Sequence, residues 1–351
     1  MLAMVHRHCT RIVRTGAFKR KKGGAAVLLG VMLLVGAGAL AGCGDSAEEG
    51  SQRQAGGQNP ASEKPEVALI MKSMANEFFV TMAEGARAHH RKHDGQYDLI
   101  VNGIKNETDL GQQTSLVEQM IARRVDAIVI APADSKALVP VLKKAKNAGI
   151  VVINIDNKLD AGTLERAGVH IPFVGPNNRK GARKVGRRLA QELSEGDEVA
   201  ILEGIPTAFN AQQRLAGFRE AMKEAGAQIV DVQSGSWEQG KANTVAAAML
   251  RAHPGLDALL CSNDNMALGA AAAVEQAGLT EQVTIVGFDN IDAARKLIRE
   301  GGMLATADQH ASRLAVYGIE QALDILGGAK TPDNRETPVD VITVADVSGG
   351  T

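Results

Sequence analysis

From residue 66 onward, short apolar runs alternate with longer stretches in which apolar residues recur every three or four positions. The runs at 67–71, 97–101, 127–131 and 151–155 are dominated by Val, Ile, Leu and Ala, as in strands covered on both faces. Between them, 77–93, 109–123 and 135–148 have helical periodicity, and Gly149 stands where a helix gives way to a strand. After Phe173-Val174-Gly175 the pattern begins again. Strands are predicted at 199–203, 228–233, 258–261, 283–287 and 304–307. Helices are predicted at 179–195, 211–225, 239–252, 266–277, 292–300 and 312–326. Strand-helix alternation in two halves predicts an α/β protein with a doubly wound parallel sheet in each half. Crossovers between parallel strands are right-handed almost without exception.

The stretch 258–290 carries the most chemistry. Its first apolar run ends in Ser262-Asn263-Asp264-Asn265, and its second ends in Phe288-Asp289-Asn290. In doubly wound sheets, ligands bind beyond the carboxyl ends of the strands. Other polar or aromatic residues fall at such places. They are Lys72, Asn76, Phe78, Phe79, Asp156 and Asn157 in the first half, and Arg214, Trp237 and Gln309 with Asn263 and Asp289 in the second. Aromatic residues are only 3% of the chain, so two adjacent phenylalanines and the single tryptophan at strand-to-helix positions stand out. Ordinary core packing at a helix start is the competing account of Phe78 and Phe79.

Charge changes the picture at the amino end. The formal net charge is -1, but residues 1–42 hold seven of the 39 Lys and Arg and none of the 40 acidic residues. The remainder is therefore acidic, without a general electrostatic pull toward nucleic acid. Lys19-Arg20-Lys21-Lys22, an uncharged apolar stretch at 25–40 and Leu40-Ala41-Gly42-Cys43 have the anatomy of an export signal. The tetrad resembles the lipobox of bacterial lipoproteins, which makes Cys43 the expected lipidated first residue of the mature chain. An uncleaved transmembrane anchor is the other reading, but the apolar run is short and glycine-rich for one. Residues 43–65 lack apolar periodicity and read as a flexible tether, with a coil reach of about 25 Å. Of the three cysteines, Cys9 goes with the signal and Cys261 stands alone in a predicted strand. No disulfide framework is expected, and Cys261 reads as a core residue.

The residues at the strand ends suit a sugar. A carboxylate accepts two hydroxyl hydrogen bonds, an asparagine donates and accepts, and arginine offers a fixed fork of donors. Aromatic faces cover the C–H faces of a sugar ring.

Six segments carry a family resemblance: NEFF at 76–79, NID at 154–156, RLAGF at 214–218, SNDNMALGA at 262–270, VGFDN at 286–290 and LATADQ at 304–309. In this order and spacing, residues 66 to about 345 resemble the periplasmic sugar-binding proteins of bacterial ABC importers. The likeness is to the type 1 branch that contains the ribose- and allose-binding proteins. The resemblance implies two lobes joined by a three-strand hinge near Gly175, near Gln309 and near 338–341, with the ligand between them. The first lobe would be 66–175 plus 310–338, and the second 176–309 plus 339–351. Asn76, Phe78, Phe79 and Asp156 would contact sugar from the first lobe. Arg214, Trp237, Asn263, Asp289 and Gln309 would do so from the second lobe and hinge, with Phe78 and Trp237 sandwiching the ring. Asn157 replaces the arginine usual in ribose-binding proteins, and Lys72 looks closer to the allose-binding pattern, so a hexose or sugar alcohol is as compatible as ribose. Glu77 replaces a common proline and is expected to point outward. The implied partners are a permease and its ATPase subunit, with the receptor a monomer and without a cofactor.

Competing classes are weaker. Asp156 and Asp289 could be imagined as a glycosidase pair, but nothing in the sequence positions an acid, and HExxH, GxxxxGK[ST] and GxSxG motifs are absent. His89, His90 and His93 lie on one predicted helix without the acids or cysteines that would complete a metal site. A regulator related to the lactose repressor would start with a helix-turn-helix rather than an export signal. A sensory receptor for a sugar or autoinducer-2 shares every feature above and stays open.

Overall fold

The computed structural model describes residues 64–348. The first half runs β1 (Glu66–Ser73), α1 (Glu77–Lys92), β2 (Asp98–Ile104), α2 (Leu110–Arg123), β3 (Ala127–Ile130), α3 (Val139–Asn147), β4 (Val151–Ile155), α4 (Ala161–Ala167) and β5 (Phe173–Pro176). The second half runs α5 (Asn178–Ala190), β6 (Glu198–Glu203), α6 (Phe209–Ala225), β7 (Gln228–Ser234), α7 (Gln239–Ala252), β8 (Leu256–Cys261), α8 (Asp264–Ala277), β9 (Thr284–Phe288), α9 (Asp292–Arg299) and β10 (Ala305–Asp308). The chain closes with α10 (Ala311–Leu326), β11 (Arg335–Thr337), β12 (Asp340–Thr343) and α11 (Val344–Val347).

These strands form two six-stranded sheets, ordered β11-β5-β4-β3-β1-β2 and β12-β10-β9-β8-β6-β7. All pairings are parallel except β12 against β10. The chain passes between the sheets three times: after β5, after β10 and between β11 and β12. Strand alternation explains how each sheet covers both faces. In the first sheet, Ala68, Ile70, Ile128 and Ile130 pack with Val117 of α2 and Leu142 of α3. Leu69, Met71, Val129 and Ile153 pack toward Met82 of α1 and Ile319 of α10. In the second sheet, Val199 and Ile201 meet Val185 of α5 and Phe218 of α6, while Ala200 and Leu202 share a core with Ala246 of α7 and Ala270 of α8. Cys261 is fully buried there, and burial pushes its thiol pKa up, as befits packing rather than reaction.

Local chemistry sets the boundaries. Asn76 caps α1 through its side chain, with Glu77 in the first turn and basic residues in the last. Helix α3 begins at Val139, later than the periodicity predicts, because Asp134 Oδ1 accepts from the amides of Lys136 and Ala137 and holds them in a turn. Pro140 then starts the helix. Helices α6 and α8 end on Gly226 and Gly278 in the left-handed region. The elements that periodicity did not reveal are α4, β5, β11, β12 and α11, each of seven residues or fewer. None of the described helices is long and apolar enough to cross a membrane. Residues 1–42, Cys43 and most of the 43–65 tether lie outside the described residues.

Candidate functional site

Because the strands of each sheet run parallel, their carboxyl ends gather at one edge, and the two edges face each other across a cleft. Lys72, Asn76, Phe78, Phe79, Glu107 and Asp156 line it from the first sheet, and Asn210, Arg214, Trp237, Asn263, Asp289 and Gln309 from the second. The cavity between them is about 10 Å³, room for about one water, so this is a closed conformation of the two lobes.

On the first side, Asn76 accepts from Phe78 N at 3.0 Å and donates from Nδ2 to Glu107 Oε1 at 3.3 Å. Lys72 Nζ lies 3.6 Å from both Glu107 Oε2 and Asp156 Oδ2. The same ammonium stands 5.4 Å from the Phe79 ring and 5.3 Å from the Trp237 ring, within cation–π range. Phe78 and Phe79 meet edge to face at 5.1 Å.

On the second side, Arg214 is 2% exposed. Its Nε donates to Asn178 Oδ1 at 2.7 Å, and its Nη1 to Ser262 O at 2.7 Å and Asp289 Oδ1 at 3.5 Å. The guanidinium stacks 3.7 Å from the Phe288 ring centre. Gln309 Nε2 donates to Asp289 Oδ1 at 2.7 Å. Asn263 caps α8 by accepting from Met266 N, and turns Nδ2 to Trp237 O. Trp237 packs closely on Gly204, where an added Cβ would run into the indole.

Two features mark this region as built for a polar ligand. Glu107 Oε2, Asp156 Oδ2, Trp237 Nε1 and Gln309 Oε1 are buried without a hydrogen-bond partner among the described residues, a rarity in folded proteins. Asp156, Trp237 and Asp289 also hold φ of 61°, 69° and 133°, which costs about 1–3 kcal/mol each and gathers at functional sites. Burial pushes the Asp289 carboxyl up, and the Arg214 charge pulls it back. Burial also raises Glu107 against the pull of Lys72. Asp264, behind the cleft, is pushed up to about 6 by burial, although Thr306 Oγ1 and Ile291 N donate to it.

Two sequence expectations need correction. Asn157 does not line the cleft. It is fully buried, with Nδ2 donating to Pro132 O and Oδ1 accepting from Ser135 Oγ and Asn210 N. Its amide is spent joining the two sides rather than facing a ligand. Glu77 does not simply point outward, because its Oε1 accepts from Asp292 N, the first residue of α9, at 2.7 Å. Ser135 Oγ likewise accepts from Phe209 N at the start of α6. Neither α6 nor α9 has a side-chain cap of its own, so both helix starts are capped from the opposite lobe.

Glu107 and Asn210 are cleft residues that sequence reasoning missed. Glu107 sits in Asn106-Glu107-Thr108-Asp109, a polar cluster past a strand end like the one that identified Asn263. The signal was present but displaced, since β2 runs three residues beyond its predicted end. Asn210 sits inside a helix start without such a cluster. The histidines lie outside the cleft: His89 Nδ1 is 2.9 Å from Tyr97 Oη, and His93 Nδ1 is 2.9 Å from His89 O. Among the described residues no group of three or more His, Cys, Asp or Glu could hold a metal ion.

Comparison with known proteins agrees with this geometry. The family model described as periplasmic binding protein domain matches residues 67–330. The chain is 56% identical to the D-ribose/D-allose-binding protein of Pseudomonas aeruginosa, over 80% of this chain and 89% of that one. It is 33% identical to the D-allose-binding periplasmic protein of Escherichia coli, over 74% and 84%. Among solved structures, an ABC transporter solute-binding protein from Burkholderia multivorans superposes with a TM-score of 0.79 at 56% identity, covering 80% of this chain and all of that one. One from Actinobacillus succinogenes with bound D-allose superposes with a TM-score of 0.78 at 37% identity, covering 82% and 100%. With the family model matching residues 67–330 and a relative 56% identical over 80% of the chain, the chain belongs to the periplasmic binding protein family.

Proposed function

We propose that this protein is the substrate-binding lipoprotein of a carbohydrate ABC transporter. It closes on a monosaccharide, pentose or hexose, or on a sugar alcohol, and delivers it to a membrane permease driven by an ATPase subunit. The observation that carries this reading is the set of buried, partnerless oxygen and nitrogen atoms that converge on one cleft from both sheets. A polyol offers many groups that both donate and accept, which is what such a set requires. Three cleft carboxylates against one Lys and one Arg disfavour an anionic sugar.

In this reading Lys72, Asn76, Phe78, Phe79 and Asp156 grip the sugar from a lobe of residues 66–175 and 310–338. Arg214, Trp237, Asn263, Asp289 and Gln309 grip it from a lobe of residues 176–309 and 339–351. Phe78 and Trp237 cover the two faces of the ring, and the Lys72 ammonium, which stands by the Phe79 and Trp237 rings here, turns to donate to a hydroxyl as the ligand enters. Residues 1–42 serve as the export signal, Cys43 carries the lipid and 43–65 are the tether. The tether holds a monomeric receptor near its permease and raises the effective concentration there.

The test is a thermal-shift screen of the full chain, stripped of carried-over ligand by unfolding and refolding. D-Allose, D-ribose, other pentoses and hexoses, and sugar alcohols are the ligands. A sugar at 100 times its dissociation constant adds about 2.7 kcal/mol to the folded state, a rise of several degrees. Absence of a shift with every one of them would overturn the reading. A second expectation concerns Gly204. Gly204→Ala should displace Trp237 and weaken sugar binding about tenfold, from ~1–3 kcal/mol of overpacking strain. Unchanged affinity by calorimetry would separate the indole from the ligand.

A further inference from the structure

Glu107 stands apart from the other cleft residues in its place on the sheets. The three chain crossings sit beside β5 and β11 of the first sheet and β10 and β12 of the second. β2 and β7 are the opposite edges. Glu107 follows β2 and Trp237 follows β7, whereas Gln309 follows β10. Glu107 therefore marks the end of the cleft remote from the hinge, and Gln309 with Asp289 marks the hinge end.

Its surroundings are those of a reader rather than of a strut. The residue is 2% exposed. One oxygen accepts from Asn76 Nδ2, and the other has no hydrogen-bond partner among the described residues. That free oxygen lies 3.6 Å from Lys72 Nζ, a distance of ionic attraction rather than of a hydrogen bond. A hydroxyl placed beside the pair can accept from Lys72 and donate to Glu107, which satisfies both of its roles.

Resting on the sugar-receptor reading, we propose that Glu107 is a specificity-determining residue. It accepts from a hydroxyl at the end of the sugar remote from the hinge, and so biases the site toward a hexose over the matching pentose. D-Allopyranose is D-ribopyranose with one added hydroxymethyl group, so the two sugars isolate the effect. A pentose leaves the carboxylate oxygen without its donor, and unmet buried acceptors are what make such sites discriminate.

Titration calorimetry on the full chain with D-allose and D-ribose tests this. Glu107→Gln keeps the shape of the side chain and its bulk against Asn76 but removes the charge. The expected result is a loss of D-allose affinity at least tenfold larger than the loss of D-ribose affinity. Glu107→Asp, which draws the carboxylate back by one methylene, should shift the ratio in the same direction, and it covers the case in which the glutamine variant folds poorly. Equal losses for both sugars would reduce Glu107 to a support for Asn76 and Lys72 and overturn the proposal, as would no loss for either. A wild-type chain that binds neither sugar would instead overturn the receptor reading itself, and this inference with it.

Discussion

Replacing Asp289 with alanine is expected to weaken sugar binding at least ~100-fold. The residue sits directly beyond β9, is 5% exposed, and receives Gln309 Nε2 and Arg214 Nη1 on the same oxygen. Its other oxygen remains for the ligand. Hydrogen bonds to a charged group contribute about 1.5–3 kcal/mol each, and each 1.4 kcal/mol is tenfold in affinity. Alanine removes the acceptor and leaves Arg214 without its countercharge inside the cleft. Calorimetry with the best sugar from the thermal screen measures the loss, and an affinity within a few-fold of wild type would remove Asp289 from the site. The sign of a pH effect follows too. Burial makes this carboxyl hold its proton more tightly than a free aspartate, so wild-type affinity should fall on acidification above the ordinary aspartate range. In Asp289→Asn that part of the pH dependence should vanish.

Replacing Arg214 with methionine should cost the protein both affinity and stability. The guanidinium ties together α6, the start of α5, the loop after β8 and Asp289, while it stacks on Phe288. Removing one member of a buried pair costs about 3–5 kcal/mol, because the partner charge stays buried. In a chain of this size each kcal/mol is worth somewhat under ~2 °C, so Tm should fall by ~5 °C or more in calorimetric melting. The affinity losses of Arg214→Met and Asp289→Ala should not add, since each variant breaks the same contact. Additive losses would mean that the pair acts independently on the ligand.

The core of the architecture was legible because buried parallel strands are written as unbroken apolar runs. β1, β4 and β8 announced themselves that way, and the polar residues immediately after such runs led to Asp156, Asn263 and Asp289. Short or polar elements were not legible: β11 is three residues long and mostly exposed, and its place depends on pairing with β5 rather than on its own pattern. At Asn157 the sequence pointed to the right loop but not to the right direction. Asp156 turns into the cleft with φ of 61°, and the next side chain consequently faces away, into the contact with Ser135 and Asn210. Glu77 was misread because a helix-start charge looks the same in sequence whether it meets solvent or the first amide of a helix 215 residues away.

That last contact has a bearing on how faithfully the receptor reports its load. Ser135, Asn157 and Glu77 complete the first turns of α6 and α9 only when the lobes are together. A helix cap is worth about 0.5–2 kcal/mol, so closing is rewarded whether or not a sugar is inside. The bias raises apparent affinity, because less of the ligand's own interaction energy goes into selecting the competent shape. It also means that an empty receptor spends more time looking full. A permease that inspects only the outer contour of the closed form would then be visited by unloaded receptors, and the strength of these three shared caps sets how often that false report is made.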